Sequence, residues 1–392
     1  MKKLGIFISH PIHYQTPLYQ LLAKQSGIKT KVYFYSRYGA EKYFDPQFQK
    51  EVILDTGLLN GYTYEFLKNQ GRQKGFNFFS FMNWGIPRII KSNKFDAVLI
   101  NSWSYFSDWL VILAAILFRT SILIRAENPY NQEIFKPLWK RLIKKILLGK
   151  LIFPRFRTFL YIGQENKKFY QYYGVPERKL FFAPYCVDNE KFSQAYQELL
   201  PKRNVLRQAL GISPETVVVL SLGSKLIQKK RPFDLLKAYE SVPQGNKALI
   251  FLGDGELRHL IEQYIKEKNI PNVFLVGFQP QAKIPEFYAM ADIAVLPSGE
   301  GETWGLMVNE AMNFSLPIIV SDMVGCGPDL VKHRENGFIF PLGDTEKLRE
   351  YMMDIVGDNK KRREFGSVSS HIVDRYLYTM VLHDITVALG AV

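Results

Sequence analysis

Two doubly wound, Rossmann-like α/β domains facing across a cleft are what this sequence predicts, on three observations. Short apolar runs alternate with amphipathic stretches along all 392 residues. The alternation breaks once, in the polar stretch 183–204, which has no strand periodicity. In the second half, apolar runs pass into glycine or serine loops before the next amphipathic stretch, the order in which parallel sheets are wound.

In the first half the expected strands are "LGIFIS" (4–9), "KVYFYS" (31–36), "AVLINS" (97–102), "SILIRA" (121–126) and "FLYIG" (159–163), with helices such as "TPLYQLLAKQ" (16–25) between them. In the second half the strands are "VVVLSLG" (217–223), "ALIFLGDG" (248–255), "NVFLVGF" (272–278), "IAVLPS" (293–298) and "PIIVSD" (317–322). The stretches that follow them, 231–242, 256–268, 281–291, 304–314 and 327–334, read as helices. Domain boundaries are expected at 1–185 and 186–368. The stretch 369–392 has apolar residues at helical spacing and is expected as a closing helix that crosses back to the first domain.

Composition is that of an ordinary globular protein, with 47% apolar and 22% charged residues, enough for sizeable cores. Cys186 and Cys326 lie far apart without metal-ligand neighbours and read as reduced thiols of a cytosolic protein. The apolar run of "MKKLGIFISHPIHY" stops at Ser9-His10, too short for a secretory signal. Arg119 interrupts the most apolar segment (109–124), which reads as a buried helix and strand rather than a membrane span. The formal charge of +14 is unevenly placed. Residues 1–189 hold 28 Lys and Arg against 12 Asp and Glu, whereas 190–392 hold 23 against 25. The basic half is the one expected to meet an anionic surface.

Two motifs carry chemistry. In "EGETWGLMVNEAM" (300–312) a helix is expected to open near Trp304. The amides of Trp304, Gly305 and Leu306 would then be unpaired first-turn donors suited to an anion. Glu302 precedes them and Glu310 follows, and carboxylates suit vicinal sugar hydroxyls. A capping Glu302 and a solvated Glu310 remain the plain alternative. In "LGSKLIQKKRPFDLL" (222–236), Lys225, Lys229, Lys230 and Arg231 crowd a loop between strand and helix, with Asp234 nearby. Cations there would stabilise a departing diphosphate, or simply make a solvated basic loop.

Taken together, "GSKLIQKKRP" and "GETWGLMVNEAM" resemble the family-four retaining glycosyltransferases with the GT-B fold. "IGQENKKFYQYYGVPERKLFFAPYCVDNEKF" (162–192), "FLGDGE", "VGF" and "SDMVGCGPDLV" match that pattern in order and spacing, most strongly from about 160 to 345. The resemblance implies that Lys225 and Lys230 grip the diphosphate and that Glu302 serves the reacting sugar. It implies donor contacts from Gly223, Gly277, Phe278, Thr303, Trp304, Gly305 and Leu306, with Glu310 on the ribose. The implied reaction moves a hexose-type sugar, with retention, from a UDP- or GDP-type donor to a lipid, lipid-linked or polysaccharide acceptor.

Two places depart from the family. "SHPIHYQTP" (9–17) stands where many members carry a Gly-Gly loop, so His10 and His13 are candidate contacts or structural histidines. "IRAENPY" (124–130) stands where many carry a histidine, so Arg125 and Glu127 are candidates there, or else a buried pair. With no Asp-x-Asp to hold a divalent ion, the lysines are expected to replace a metal, and no other cofactor is expected.

The basic segment 136–157 holds eight basic residues and no acidic one. Leu138, Trp139, Leu142, Ile143, Ile146 and Leu147 form an apolar stripe beside Lys136, Lys140, Arg141, Lys144 and Lys145. That is the layout of an interfacial helix on anionic lipid, although packing on its own sheet would use the same stripe. The aromatic run 75–85 is a second possible contact. The resulting expectation is a cytoplasmic enzyme peripheral on the inner face of the plasma membrane. Alternatives are a GT-B sugar-nucleotide epimerase and a non-catalytic binder or scaffold. A nucleic-acid partner is not expected, because no reading motif accompanies the basic half.

Overall fold

The computed structural model describes residues 1–40, 43–45, 50–52, 57–71, 76–243 and 245–390. They separate into two compact units. The first runs to Tyr185, apart from Asp45 and Lys50, and takes the chain back from Leu377; the second holds Asp45, Lys50 and Cys186–Tyr376.

The sheet of the first unit uses β1 (Lys2–Ile8) and β2 (Ile28–Phe34). A separate two-stranded sheet of β3 (Tyr43–Asp45) and β4 (Lys50–Val52) follows. The main sheet continues with β5 (Tyr64–Phe66), β6 (Ala97–Ile100), β7 (Ser121–Ile124), β8 (Thr158–Tyr161) and β9 (Leu180–Phe182), in the order β5-β2-β1-β6-β7-β8-β9. Neighbours in it pair in parallel. A parallel strand is covered on both faces and reads as an unbroken apolar run, and all four residues of β6 are buried.

The second unit repeats the plan with β10 (Val217–Ser221), β11 (Lys247–Leu252), β12 (Val273–Gly277), β13 (Ile293–Leu296), β14 (Ile318–Ser321) and β15 (Gly337–Phe340), in the order β12-β11-β10-β13-β14-β15. Its core gathers Val219, Leu235, Leu249, Phe251, Val295 and Ile319. One lysine is built into this interior. Lys247 Nζ donates to the carbonyls of Tyr239 (2.8 Å) and Val242, capping the helix Pro232–Ser241. Burial lowers its pKa to about 8.

Strand order reverses between β10 and β13, which pair directly from Val219↔Ile293 to Ser221↔Val295. The loops leaving the carboxyl ends of these two strands therefore flank the switch point where open α/β sheets bind ligands. One is the basic loop and the other is "SGEGETWG". In the first unit the switch falls between β1 and β6, so the loop holding His10 occupies the corresponding place.

Three expectations need correction. β15 was not read from the sequence and closes the second sheet. The closing segment begins later than residue 369. A helix at Asn359–Val373 ends in the second unit, and the chain joins the first unit only from Leu377, as the helix Tyr378–Gly390. "GPDLVKHR" is helical only over Gly327–Leu330. The segment 109–124 does form a helix (Phe106–Leu117) and a strand (β7), but Leu113 and Leu117 face solvent.

Candidate donor site

After β10 the chain bends through Leu222 and Gly223, and Lys225 forms a bridge with Asp254 beyond β11. A short 3₁₀ turn, Gln228–Lys230, follows. Arg231 then takes a left-handed conformation (φ 49°) and hands the chain to Pro232, the first residue of a helix. Arg231 is engaged locally, with Nε donating to Asp234 Oδ2 at 2.5 Å. Gly223 lies against the stem of Lys230, where a Cβ would sit 3.4 Å from Lys230 Cβ.

The loop after β13 comes to meet this turn. The Gly299 amide donates to the Lys229 carbonyl at 2.8 Å, and the Lys230 ammonium pairs with the Glu302 carboxylate. The pair is largely buried, with side chains 15% and 11% exposed. Burial pushes the Glu302 carboxyl up. The charges of Lys230 and Lys229 and the hydrogen bonds from Lys230 and Ser298 outweigh that and hold it below the usual carboxylate range.

The acidic loop is braced from behind. Gly325 N donates to Glu302 O (3.1 Å) and Cys326 N to Trp304 O (3.0 Å). At Gly325 a Cβ would overlap the Thr303 carbonyl, so only glycine lets the two loops approach. Trp304 is buried and its indole Nε1 donates to Asn309 Oδ1 at 2.9 Å. The helix opens at Leu306, not near Trp304, because Gly305 holds a left-handed conformation (φ 106°) and the chain turns helical only after it. Of the three amides expected in the first turn, only that of Leu306 lies inside the helix.

Glu310 lies inside the same short helix, Leu306–Met312, and is buried. Its Oε2 accepts from the Tyr288 hydroxyl at 2.6 Å. Burial raises its pKa to about 7, against the hydrogen bonds of Tyr288 and Gln281 and the charge of Lys191. It is therefore not a solvated helix residue. Gly277 ends β12 and accepts from the Gly253 amide at 3.0 Å, and Phe278 beyond it is exposed. Arg258 lies beside Gly277 and donates to Leu275 O at 3.1 Å.

The structure thus brings Lys230, Lys229, Gly223 and Glu302 together and places Lys225, Gly277 and Glu310 in loops and a helix of the same unit. Tyr288, Asn309 and Arg258 were missed by sequence reasoning. Tyr288 sits among apolar neighbours that read as core, so no local signal marks it. Asn309 could have been noticed as a polar residue on the inner face of an otherwise apolar turn.

The candidates His10, His13, Arg125 and Glu127 lie in the first unit. His10 is held by Ser9 Oγ (2.9 Å) and by ring contacts with Tyr38 and Phe76, and burial lowers its pKa to about 4, so it is neutral. His13 packs on Tyr14. Arg125 is buried and donates to the carbonyls of Ala183 (2.9 Å) and Pro184 (2.5 Å) and to Gln15 (3.1 Å). Glu127 accepts from the hydroxyls of Tyr14 (3.4 Å) and Tyr185.

Two parallel-sheet α/β units, each with a strand-order switch point, are the architecture of the GT-B fold. Residues 202–370 match the family described as Glycosyl transferases group 1.

Among curated relatives it is 28% identical over 194 residues to a sulfoquinovosyl transferase of Arabidopsis thaliana, covering 48% of this chain and 36% of that protein. It is 26% identical over 209 residues to alpha-galactosylglucosyldiacylglycerol synthase of Streptococcus pneumoniae, covering 52% of each. The matches thus span about a third to a half of these relatives' own lengths. HepE of Anabaena, solved in complex with UDP, shares the fold with a TM-score of 0.75 at 17% identity, covering 100% of both chains.

Proposed function

We propose that the chain transfers a sugar, with retention and without a metal, from a UDP-sugar to a lipid, lipid-linked or polysaccharide acceptor. The observation that carries the reading is the junction of the two switch-point loops, where Lys230 meets Glu302 and the Gly299 amide meets the Lys229 carbonyl. Lys225 and Lys230 stabilise the departing diphosphate as point charges that need no proton transfer. Glu302 orients the sugar hydroxyls, and Glu310 accepts from the ribose. HepE, solved with UDP and with UDP-glucose, supports a uridine donor.

Thermal-shift screening against nucleotide sugars tests the donor, since a bound donor raises apparent stability by mass action. UDP-sugars should raise the melting temperature of wild type but not of Lys230→Ala, and an unchanged wild type across the panel would sink the reading. Product NMR should show the α-anomer from an α-linked donor. Activity should survive EDTA. Loss of activity that magnesium or manganese restores would overturn metal independence.

The lipid side of the proposal rests on the first unit. Leu138, Trp139, Leu142, Ile143 and Ile146 are 52–62% exposed, so the stripe of the basic segment is not spent on its own sheet. Phe76, Phe78, Phe79 and Trp84 are exposed as well. Among the described residues no helix is long and apolar enough to cross a membrane. The exposed apolar stripe suits the surface of an anionic bilayer; Lys136 and Lys144 beside it are paired with Glu133, and Lys140, Arg141 and Lys145 would each contribute about 1 kcal/mol. Flotation with phosphatidylglycerol vesicles should recover the protein at low salt and less of it at high salt. Absence from the vesicle fraction at both would defeat this part.

A further inference from the structure

At the amino ends of the second sheet the unit holds a cavity of about 460 Å³, whose lining includes Tyr288, the hydrogen-bond partner of Glu310. Asp292 immediately precedes β13 and Leu316 lies just before β14, and both line it. Its walls carry three guanidiniums, Arg203, Arg362 and Arg363, together with Ser367 and the rings of Tyr196 and Phe314. The two rings meet edge to face at 5.6 Å.

The charge there does not balance. Asp292 is already divided between Arg203 (2.5 Å), Arg207 (2.6 Å) and the Val218 amide (2.8 Å). Asp358 accepts from the Lys361 amide as a helix cap. Among the described residues Arg203 engages Nη2 alone, on Asp292 and the Ala291 carbonyl. Arg362 uses Nη1 on the carbonyls of Ile355 (2.8 Å) and Val356 (2.6 Å). Arg363 makes no ion pair among the described residues. Guanidinium donors are therefore left over on all three. Burial lowers the pKa of Arg362; the charges of Asp292 and Asp358 oppose this, and those of Arg203 and Arg363 add to it. Like charges gathered in a partly desolvated recess raise each other's energy, and a dianion among them relieves it.

We propose that this cavity binds a phosphomonoester whose ring lies against Tyr196 and Phe314 and whose phosphate is held by the forks of Arg203, Arg362 and Arg363. Guanidinium geometry matches phosphate oxygens in pairs, and the aromatic wall suits the apolar face of a sugar or a base. The site goes beyond the donor reading, and its arginines take no part in it, although Tyr288 touches both.

Calorimetric titration with glucose 6-phosphate and with inorganic phosphate tests the proposal. Wild type should bind both at millimolar concentrations or better, the sugar phosphate more tightly. Arg363→Ala, at an exposed position, should keep the wild-type circular dichroism and weaken binding about tenfold, the effect of one charge-assisted hydrogen bond. Arg363→Lys should lose less. Lys230→Ala, which removes a donor-loop cation, should leave the affinity unchanged.

No binding by wild type would overturn the proposal. So would loss of binding in Lys230→Ala but not in Arg363→Ala, which would place the phosphate in the donor loops. Equal affinity for phosphate and sugar phosphate would overturn the ring contact.

Discussion

At the scale of single residues, the ion pair between Lys230 and Glu302 makes two separable predictions. Under the proposed function, replacing the cation removes one preorganised charge from the departing diphosphate, an interaction whose loss elsewhere costs about 10²–10³-fold in turnover. It also leaves Glu302 buried and unpaired, which destabilises by about 3 kcal/mol. Lys230→Met should therefore lower both kcat and the urea midpoint. Adding Glu302→Gln should restore the midpoint without restoring turnover.

Glu310 gives a pH signature. Its folded pKa, about 7, lies above the ordinary 4.5, so the folded state binds the extra proton. Stability from this group is full below about pH 4.5 and is lost as pH rises toward 7, by up to about 3 kcal/mol. Glu310→Gln should hence gain stability relative to wild type between pH 5 and 8, measured by urea unfolding. A constant difference across that range would remove the buried carboxyl from the account.

At the scale of elements, the helix Leu306–Met312 depends on the left-handed residue before it. A Cβ at Gly305 would lie 2.9 Å from Leu296 Cδ2, in a backbone conformation that other residues rarely adopt. Gly305→Ala should destabilise by about 1–3 kcal/mol, read as a fall in the urea midpoint, and should weaken nucleotide-sugar binding at the adjoining loop.

The elements that sequence made legible were the long apolar ones. β6, β10, β11, β13 and β14 are buried on both faces, so their composition announced them. β5, β9 and β15 are only three or four residues long and lie at sheet edges, where "GFIF" or "YEF" carries too little periodicity to separate strand from turn. The meeting of the basic and acidic loops was legible because both motifs follow strands. The bond from Tyr288 to Glu310 was not, since it joins two helices 22 residues apart, and nothing local distinguishes a buried tyrosine hydroxyl that finds a carboxylate from one that does not. The helix start was misplaced by two residues for a related reason. Trp304 looks like a first apolar helical residue, but its ring is folded inward and bonded to Asn309.

At the scale of the whole molecule, the net positive charge lies in residues 1–189, which hold 28 Lys and Arg against 12 Asp and Glu. The outlying apolar stripe there supports a prediction that leaves the donor site untouched. Trp139→Glu together with Ile143→Glu should abolish flotation with anionic vesicles. The melting temperature and the thermal shift with UDP-sugars should stay unchanged, because both side chains are exposed. Loss of fold in this variant would show the stripe to be packing surface.

The contact between Lys230 and Glu302 has a last consequence for how the protein chooses among solutes. The ammonium carries a counter-ion tethered to its own chain. An arriving anion must displace that carboxylate, and a singly charged ion such as chloride gains little by the exchange. A pyrophosphate group, with more charge and more acceptor atoms, gains enough to make it. The freed carboxylate then needs donors of its own, which the hydroxyls of an attached hexose supply, so tails without a sugar should be held less well than whole donors.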